Sequence, residues 1–217
     1  MTDRPDELLL FERGLTELPE SIDANPDVRV LDAGHNRLRA LPESIGSLRR
    51  LEILYVHDNA LTELPPALFR LPRLEYLNAS ENLLRELPPE IGRLRSLIEL
   101  RLLNNSLTEL PTSIGQLQVL RELHLRGNHL TELPDTIGWL SELRLLDLRE
   151  NQLTELPDSM ASMTKLRTLD LRANRLTSLP PALANLPCLE KLDLRWTELE
   201  LPDWTEDLSE RGVVVLR

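Results

Sequence analysis

Read for groups able to do chemistry, this 217-residue sequence offers few that could make or break a bond. Its one cysteine, Cys188, is the sole thiol nucleophile, and a thiol attacks only as a thiolate held beside a base or a cation. No P-loop, G-x-S-x-G, H-E-x-x-H or protein-kinase pattern occurs. His35 and His57 with Asp32 and Asp58 bring nitrogen and oxygen donors into one region, yet the tight Cys/His spacing of a zinc site is missing. The side chains that keep step with one another are of a different kind. Arg126, Arg149, Arg172 and Arg195 recur at one constant interval, and the last three each follow an aspartate on the same side of the chain: Asp147, Asp170 and Asp193. Both tyrosines of the chain, Tyr55 and Tyr76, fall near the two histidines. Guanidinium forks and amphipathic rings grip a surface rather than turn over a substrate. The expectation is a non-catalytic protein with no metal and no cofactor, in which Cys188 is an incidental surface thiol.

Composition narrows the class. Hydrophobic residues make up 41% of the chain but aromatics only 3%, and leucine, by far the commonest residue, fills the gap. No apolar run approaches the roughly 18 residues that a membrane-spanning helix needs. The net charge of −11 argues against nucleic acid, whose phosphates require a clustered surplus of Lys and Arg, and it repels anionic lipid. Residues 1–7 carry three acids and lack the apolar stretch and cleavage site of a secretory signal, so the sequence as written is expected in the cytoplasm. An unpaired cysteine fits that reducing compartment.

A repeat must position the conspicuous side chains. Asn36, Asn59, Asn82, Asn105, Asn128, Asn151 and Asn174 keep the same interval as the arginines without an insertion, and the prolines from Pro19 to Pro180 run in step, each preceded by leucine. Stepping outward reaches Arg13 and Thr197, giving nine units, and Pro202 comes one residue early. Within one unit, Leu146 and Leu148 alternate with Asp147 and Arg149, the pattern of a short strand with one buried face. Asn151 ends that strand, where its amide can bond the backbone of its own turn and of the next. Leu153 and Leu156 turn inward again, and Pro157 opens an outer return segment. One such unit cannot hide its leucines from water, whereas stacked units can.

The pattern Leu51-x-x-Leu54-x-Val56-x-x-Asn59-x-Leu61-x-x-Leu64-Pro65 and its copies resemble the 23-residue class of leucine-rich repeats. Stretches such as Leu41-Pro42-Glu43-Ser44-Ile45-Gly46-Ser47-Leu48 are similar to the L-P-x-x-I-G-x-L repeats of Ras-binding scaffolds, plant intracellular Ras-group-related proteins and bacterial effectors injected into hosts. The resemblance implies an α/β repeat solenoid, a horseshoe whose concave face is a parallel sheet of about ten short strands and whose convex side carries short helical or 3-10 segments. The partner is not implied by it; the expected function is non-catalytic protein binding on the concave strand face, to a small GTPase or other signalling protein, with a bacterial effector-type protein acting on a host protein, or a structural repeat protein that self-assembles through its solenoid ends, as the alternatives. The motif residues lie inside the solenoid and do not say what is bound.

The solenoid is expected over residues 1–202, with 203–217 as a cap. In that cap Trp204 and Leu208 share a helix face, Gly212 is a stop, and counting from Pro202 places Val214 and Leu216 on the buried side of a last strand. The chain is expected to be a monomer, with end-to-end pairing left open by the bare solenoid ends. Trp139, where other units have Ser47, Arg93 or Gln116, is either a second contact point or, as the preferred reading, a packed convex lid.

Side chains six, four, two and one residues before each asparagine position should line the concave face. The first four units place Phe11, Val30, His35, Ile53, Tyr55, His57 and Tyr76 there with Glu12, Asp32, Asp58 and Glu81, and no Lys or Arg. The later units place Arg101, Arg126, Arg149, Arg172, Arg195 and Trp196 there. From these columns the partner-binding residues are expected to be Phe11, His35, Ile53, Tyr55, His57, Tyr76, the five arginines and Trp196. Two readings of the arginines stay open: neutralisation by the neighbouring aspartates, or exchange onto carboxylates of an acidic partner. The glutamates before the Leu-Pro pairs, such as Glu63 and Glu86, are read as solvation.

Overall fold

Three-residue stretches with an inward aliphatic residue at the centre, leucine in all but the last, form the ten strands of the protein, whose computed structural model describes residues 6–217. Residues 1–5 of the acidic N-terminal stretch, on which the reading of no secretory signal rests, lie outside the described residues. The strands are β1 (Glu7–Leu9), β2 (Val30–Asp32), β3 (Ile53–Tyr55), β4 (Tyr76–Asn78), β5 (Glu99–Arg101), β6 (Glu122–His124), β7 (Leu145–Asp147), β8 (Thr168–Asp170), β9 (Lys191–Asp193) and β10 (Val214–Leu216). They form one open parallel sheet in chain order. Leu31 lies opposite Leu54, Leu54 opposite Leu77 and Leu77 opposite Leu100, and all four are fully buried. The architecture is a horseshoe repeat solenoid.

The core is a continuous column rather than a ball. Strand leucines meet a second row, Leu61, Leu84, Leu107, Leu130 and Leu153, and an outer row, Ile45, Ile91, Ile114 and Ile137, all without solvent exposure. Truncating one such leucine to alanine removes about 2–5 kcal/mol, because flanking units hold the cavity open.

Asparagine closes each unit. Asn59 donates to its own turn at the Val56 and His57 carbonyls and to Ala33 of the preceding unit, and its Oδ1 accepts from the backbone N–H of Leu38. The expected reach toward the next unit is therefore corrected: the amide points back. The cause is the parallel stagger, which leaves the donors and acceptors of the earlier turn facing the later asparagine.

The residue ahead of the asparagine position adopts a left-handed conformation in every unit, from Glu12 (φ +54°) through His35, Asp58, Glu81, Asn104, Gly127, Glu150 and Ala173 to Trp196 (φ +60°). This turn swings the chain out of the strand at a steric cost that only glycine escapes.

On the convex side the extended prolines, such as Pro111 (φ −66°, ψ 147°), lead into five-residue 3-10 segments such as Thr112–Gln116. A slim 3-10 coil suits a stack whose strands repeat about every 4.8 Å. Neighbouring segments approach so closely that a Cβ on Gly138 would lie 2.2 Å from the Ser159 carbonyl oxygen. Trp139 ends its segment 59% exposed, so the packed lid is not found. That slot faces solvent in the other units too, at Ser47, Arg93 and Gln116.

At the C-terminal end helix α1 (Trp204–Glu210) replaces the 3-10 segment, burying Leu208, and Gly212 (φ +88°) turns the chain into β10. Val215 pairs with Leu192 and packs on the core, Val213 is buried, and Val214 is 52% exposed. The expectation that Val214 and Leu216 face inward is thus overturned. Pro202 comes one residue early, and a slip of one residue exchanges the two faces of a strand.

Candidate functional site

The parallel register lays each outward column across the sheet, and in the first four units it brings five rings into one chain. Ring centroids lie 4.9 Å apart for Phe11 and His35, 4.8 Å for His35 and His57, 6.0 Å for His57 and Tyr55, and 5.0 Å for Tyr55 and Tyr76. Ile53 sits beside them, opposite Tyr76. The contacts are mostly edge to face, the arrangement that ring quadrupoles favour. His57 leans over Gly34, where an added Cβ would lie 2.4 Å from its Cε1. A larger residue there would push the ring aside.

Burial and the neighbouring His35 hold the His57 pKa below its ordinary value, against the opposing pull of Asp32 and Asp58. His57 Nδ1 is buried without a hydrogen-bond partner among the described residues. Burial raises the Tyr76 phenol, which keeps its proton and can donate it to a hydrogen bond. His35 Nδ1 lies 2.5 Å from Asp58 Oδ2. No three of His35, His57, Asp32 and Asp58 bring donor atoms within 4.8 Å of one another.

Farther along, the arginine column is a spine of ion pairs. Arg149 grips Asp147 through Nε and Nη2 at 2.9 and 2.8 Å, Arg172 grips Asp170 at 2.9 and 2.8 Å, and Arg195 grips Asp193 at 2.9 Å through both nitrogens. The first two forks also lean toward the next aspartate, with Arg149 to Asp170 and Arg172 to Asp193 both at 3.5 Å. Arg126 turns instead to Glu150, and Arg101 to Glu99. Neutralisation within the chain is therefore the resting state, chiefly on the same strand. Asp193 is fully buried and also meets Lys191 at 3.5 Å. Trp196, 72% exposed, lies under the Arg172 and Arg195 guanidiniums at 5.7 and 5.5 Å from its ring centre.

Between the halves, Glu99, Glu122 and His124 place three donor atoms within 4.8 Å of one another. The sequence reading missed this grouping, whose signal is two successive glutamates in one column beside a histidine in the next. A cleft of about 840 Å³ at the C-terminal rim is lined by Leu176, Trp196 and Leu199 among others, and Cys188 is exposed. Among the described residues no helix is long and apolar enough to cross a membrane.

Comparison with known proteins agrees with this geometry. The family model for a leucine-rich-repeat region matches residues 112–210, and that for a leucine-rich repeat matches 49–91. No curated protein matches the chain. Among solved structures, a leucine-rich-repeat protein of Leptospira interrogans is 31% identical over 93% of this chain and 57% of its own, with a TM-score of 0.72. The leucine-rich-repeat ectodomain of the Arabidopsis thaliana receptor kinase GASSHO1/SCHENGEN3, solved in complex with CASPARIAN STRIP INTEGRITY FACTOR 2, is 36% identical over 93% of this chain and 25% of its own, with a TM-score of 0.81. A Listeria monocytogenes internalin shares the fold at 19% identity and a TM-score of 0.81, over 92% of this chain and 57% of its own. The chain thus spans less than three fifths of the length of each of these three structures.

Proposed function

This chain is a leucine-rich-repeat protein, and we propose that it is a non-catalytic interaction module gripping a partner protein on the inner face of its sheet, anchored on the ring cluster of the first four units. The observation that carries this reading is the contact chain from Phe11 to Tyr76 on an open strand face. Rings bury much area with few rotatable bonds, and such residues dominate binding energy where they cluster. Glu12, Asp32, Asp58 and Glu81 surround the rings, and the first four units place no Lys or Arg in these columns, which favours a partner segment bearing Lys or Arg among its apolar side chains. Trp196 and the arginine spine form a second, charged area farther along the face. The receptor ectodomain solved with its bound factor supports the general use of this fold in holding another molecule.

The finer proposal is a cytoplasmic monomer whose partner is a small GTPase or other signalling protein, with a host protein as the alternative. Affinity capture from the native lysate, using wild type and a Tyr55→Ala, Tyr76→Ala double variant of equal thermal stability, tests it. A partner held by the wild type and released by the variant is expected. Identical catches would count against the ring cluster, and light scattering across concentration checks the monomer.

A further inference from the structure

We propose that Glu99, Glu122 and His124 form a binding site for a divalent transition ion of the zinc class, an assignment independent of the partner reading. The site begins with the register of β5 and β6, which sets Glu99 directly opposite Glu122 and Arg101 opposite His124. Like charges facing each other across a strand pair are unfavourable, and elsewhere in this column, which runs Glu7, Val30, Ile53, Tyr76 before the pair and Leu145, Thr168, Lys191, Val214 after it, no two carboxylates stand opposite each other. The two carboxylates share one guanidinium, that of Arg101 on Glu99, so one negative charge remains to attract a cation.

His124 gives the cluster a nitrogen donor. It is only 9% exposed, so packing rather than solvent fixes where its ring points. Its Nε2 lies 3.0 Å from Glu122 Oε2 and 3.9 Å from Glu99 Oε1. An ion with bonds of about 2.0–2.2 Å needs ligand atoms roughly 3.0–3.5 Å apart, a range close to those two separations. All three donor atoms lie within 4.8 Å of one another, so binding requires the glutamate carboxylates, whose side chains are 21% and 41% exposed, to rotate inward. One imidazole and two carboxylates are too few oxygens for calcium and suit Zn²⁺, Co²⁺ or Ni²⁺. Arg101 on Glu99 then plays the outer role of orienting a ligand.

The test is calorimetric titration of chelator-treated protein with Zn²⁺, repeated with Co²⁺ and read by its visible absorption. Wild type and a His35→Ala control should each bind a single equivalent, while Glu122→Gln and His124→Asn should bind at least about tenfold more weakly. Glu122→Gln is a near-isosteric change at a part-exposed position, so it remains informative if His124→Asn fails to fold. Absence of binding by wild type, an unchanged affinity in Glu122→Gln, or loss of binding in His35→Ala would overturn the assignment.

Discussion

Asn105 donates from its side-chain amide to the carbonyl of Ala79, 26 residues earlier in the chain, at 3.0 Å. The same amide bonds the Leu102 and Leu103 carbonyls, and Oδ1 accepts from the backbone N–H of Leu84. One side chain thus ties two units together. Replacing Asn105 with alanine leaves these buried groups unbonded and is expected to lower stability by about 1–3 kcal/mol. An unchanged melting curve would contradict the ladder.

Asp193 anchors the far end of the arginine spine. Burial alone would raise its pKa, but hydrogen bonds from the Arg195 side chain and backbone N–H, with the charges of Arg172 and Arg195, hold it below the ordinary value. A carboxyl whose folded pKa is depressed contributes stability that is fully present above the unfolded value, near 3.9, and is lost as pH falls through the folded one. Asp193→Asn is therefore expected to destabilise by about 1–3 kcal/mol at neutral pH, with the deficit shrinking once the wild type is acidified below that range. Urea midpoints at neutral and acid pH measure this, and a pH-independent deficit would argue against the ionised pairing.

Ala173 and Gly127 occupy the same left-handed turn in different units, at φ +52° and +69°. Ala173→Gly relieves the steric clash of a Cβ and is expected to stabilise by about 0.5–1 kcal/mol. Gly127→Ala is expected to destabilise by about 1–2 kcal/mol, and its new Cβ would also lie 2.1 Å from Asn104 Oδ1. Equal melting temperatures for both variants and wild type would show that the turn carries no strain.

The strand ladder Leu54 to Leu77 to Leu100 and the asparagines were legible in the sequence because each unit makes the same demand at the same spacing. The outward columns were legible for the same reason. Val214 escaped because it was counted from Pro202, whose displacement shifts the face, and Trp139 because its spacing says nothing about depth. The left-handed column was hidden by its residue types, of which Gly127 alone announces the conformation. Glu99, Glu122 and His124 form no local motif: the two glutamates stand a whole repeat apart, and their convergence with the histidine depends on rotamers that spacing does not encode. The arginines were visible, but not that Arg149, Arg172 and Arg195 turn first to the aspartate of their own unit, a choice made by side-chain reach.

His57 should titrate abnormally. Burial and His35 lower its folded pKa while Asp32 and Asp58 oppose the shift. Its contribution to stability is then present above the unfolded value of about 6.5 and lost as pH falls through the lower folded value. An NMR titration of the imidazole should give a midpoint below about 6.5, and a midpoint at or above that value would contradict the packing of the ring over Gly34.

Placement of a photo-reactive side chain tests most directly whether the inner face does the gripping. A benzophenone amino acid at Tyr76, within the ring cluster, or at Trp139, exposed on the convex side, is irradiated in the native lysate and the adducts are resolved by mass. The expected result is a discrete partner adduct from the Tyr76 position, reduced when Tyr55 is also replaced by alanine, and none from Trp139. An adduct from Trp139 with none from Tyr76 would contradict the account.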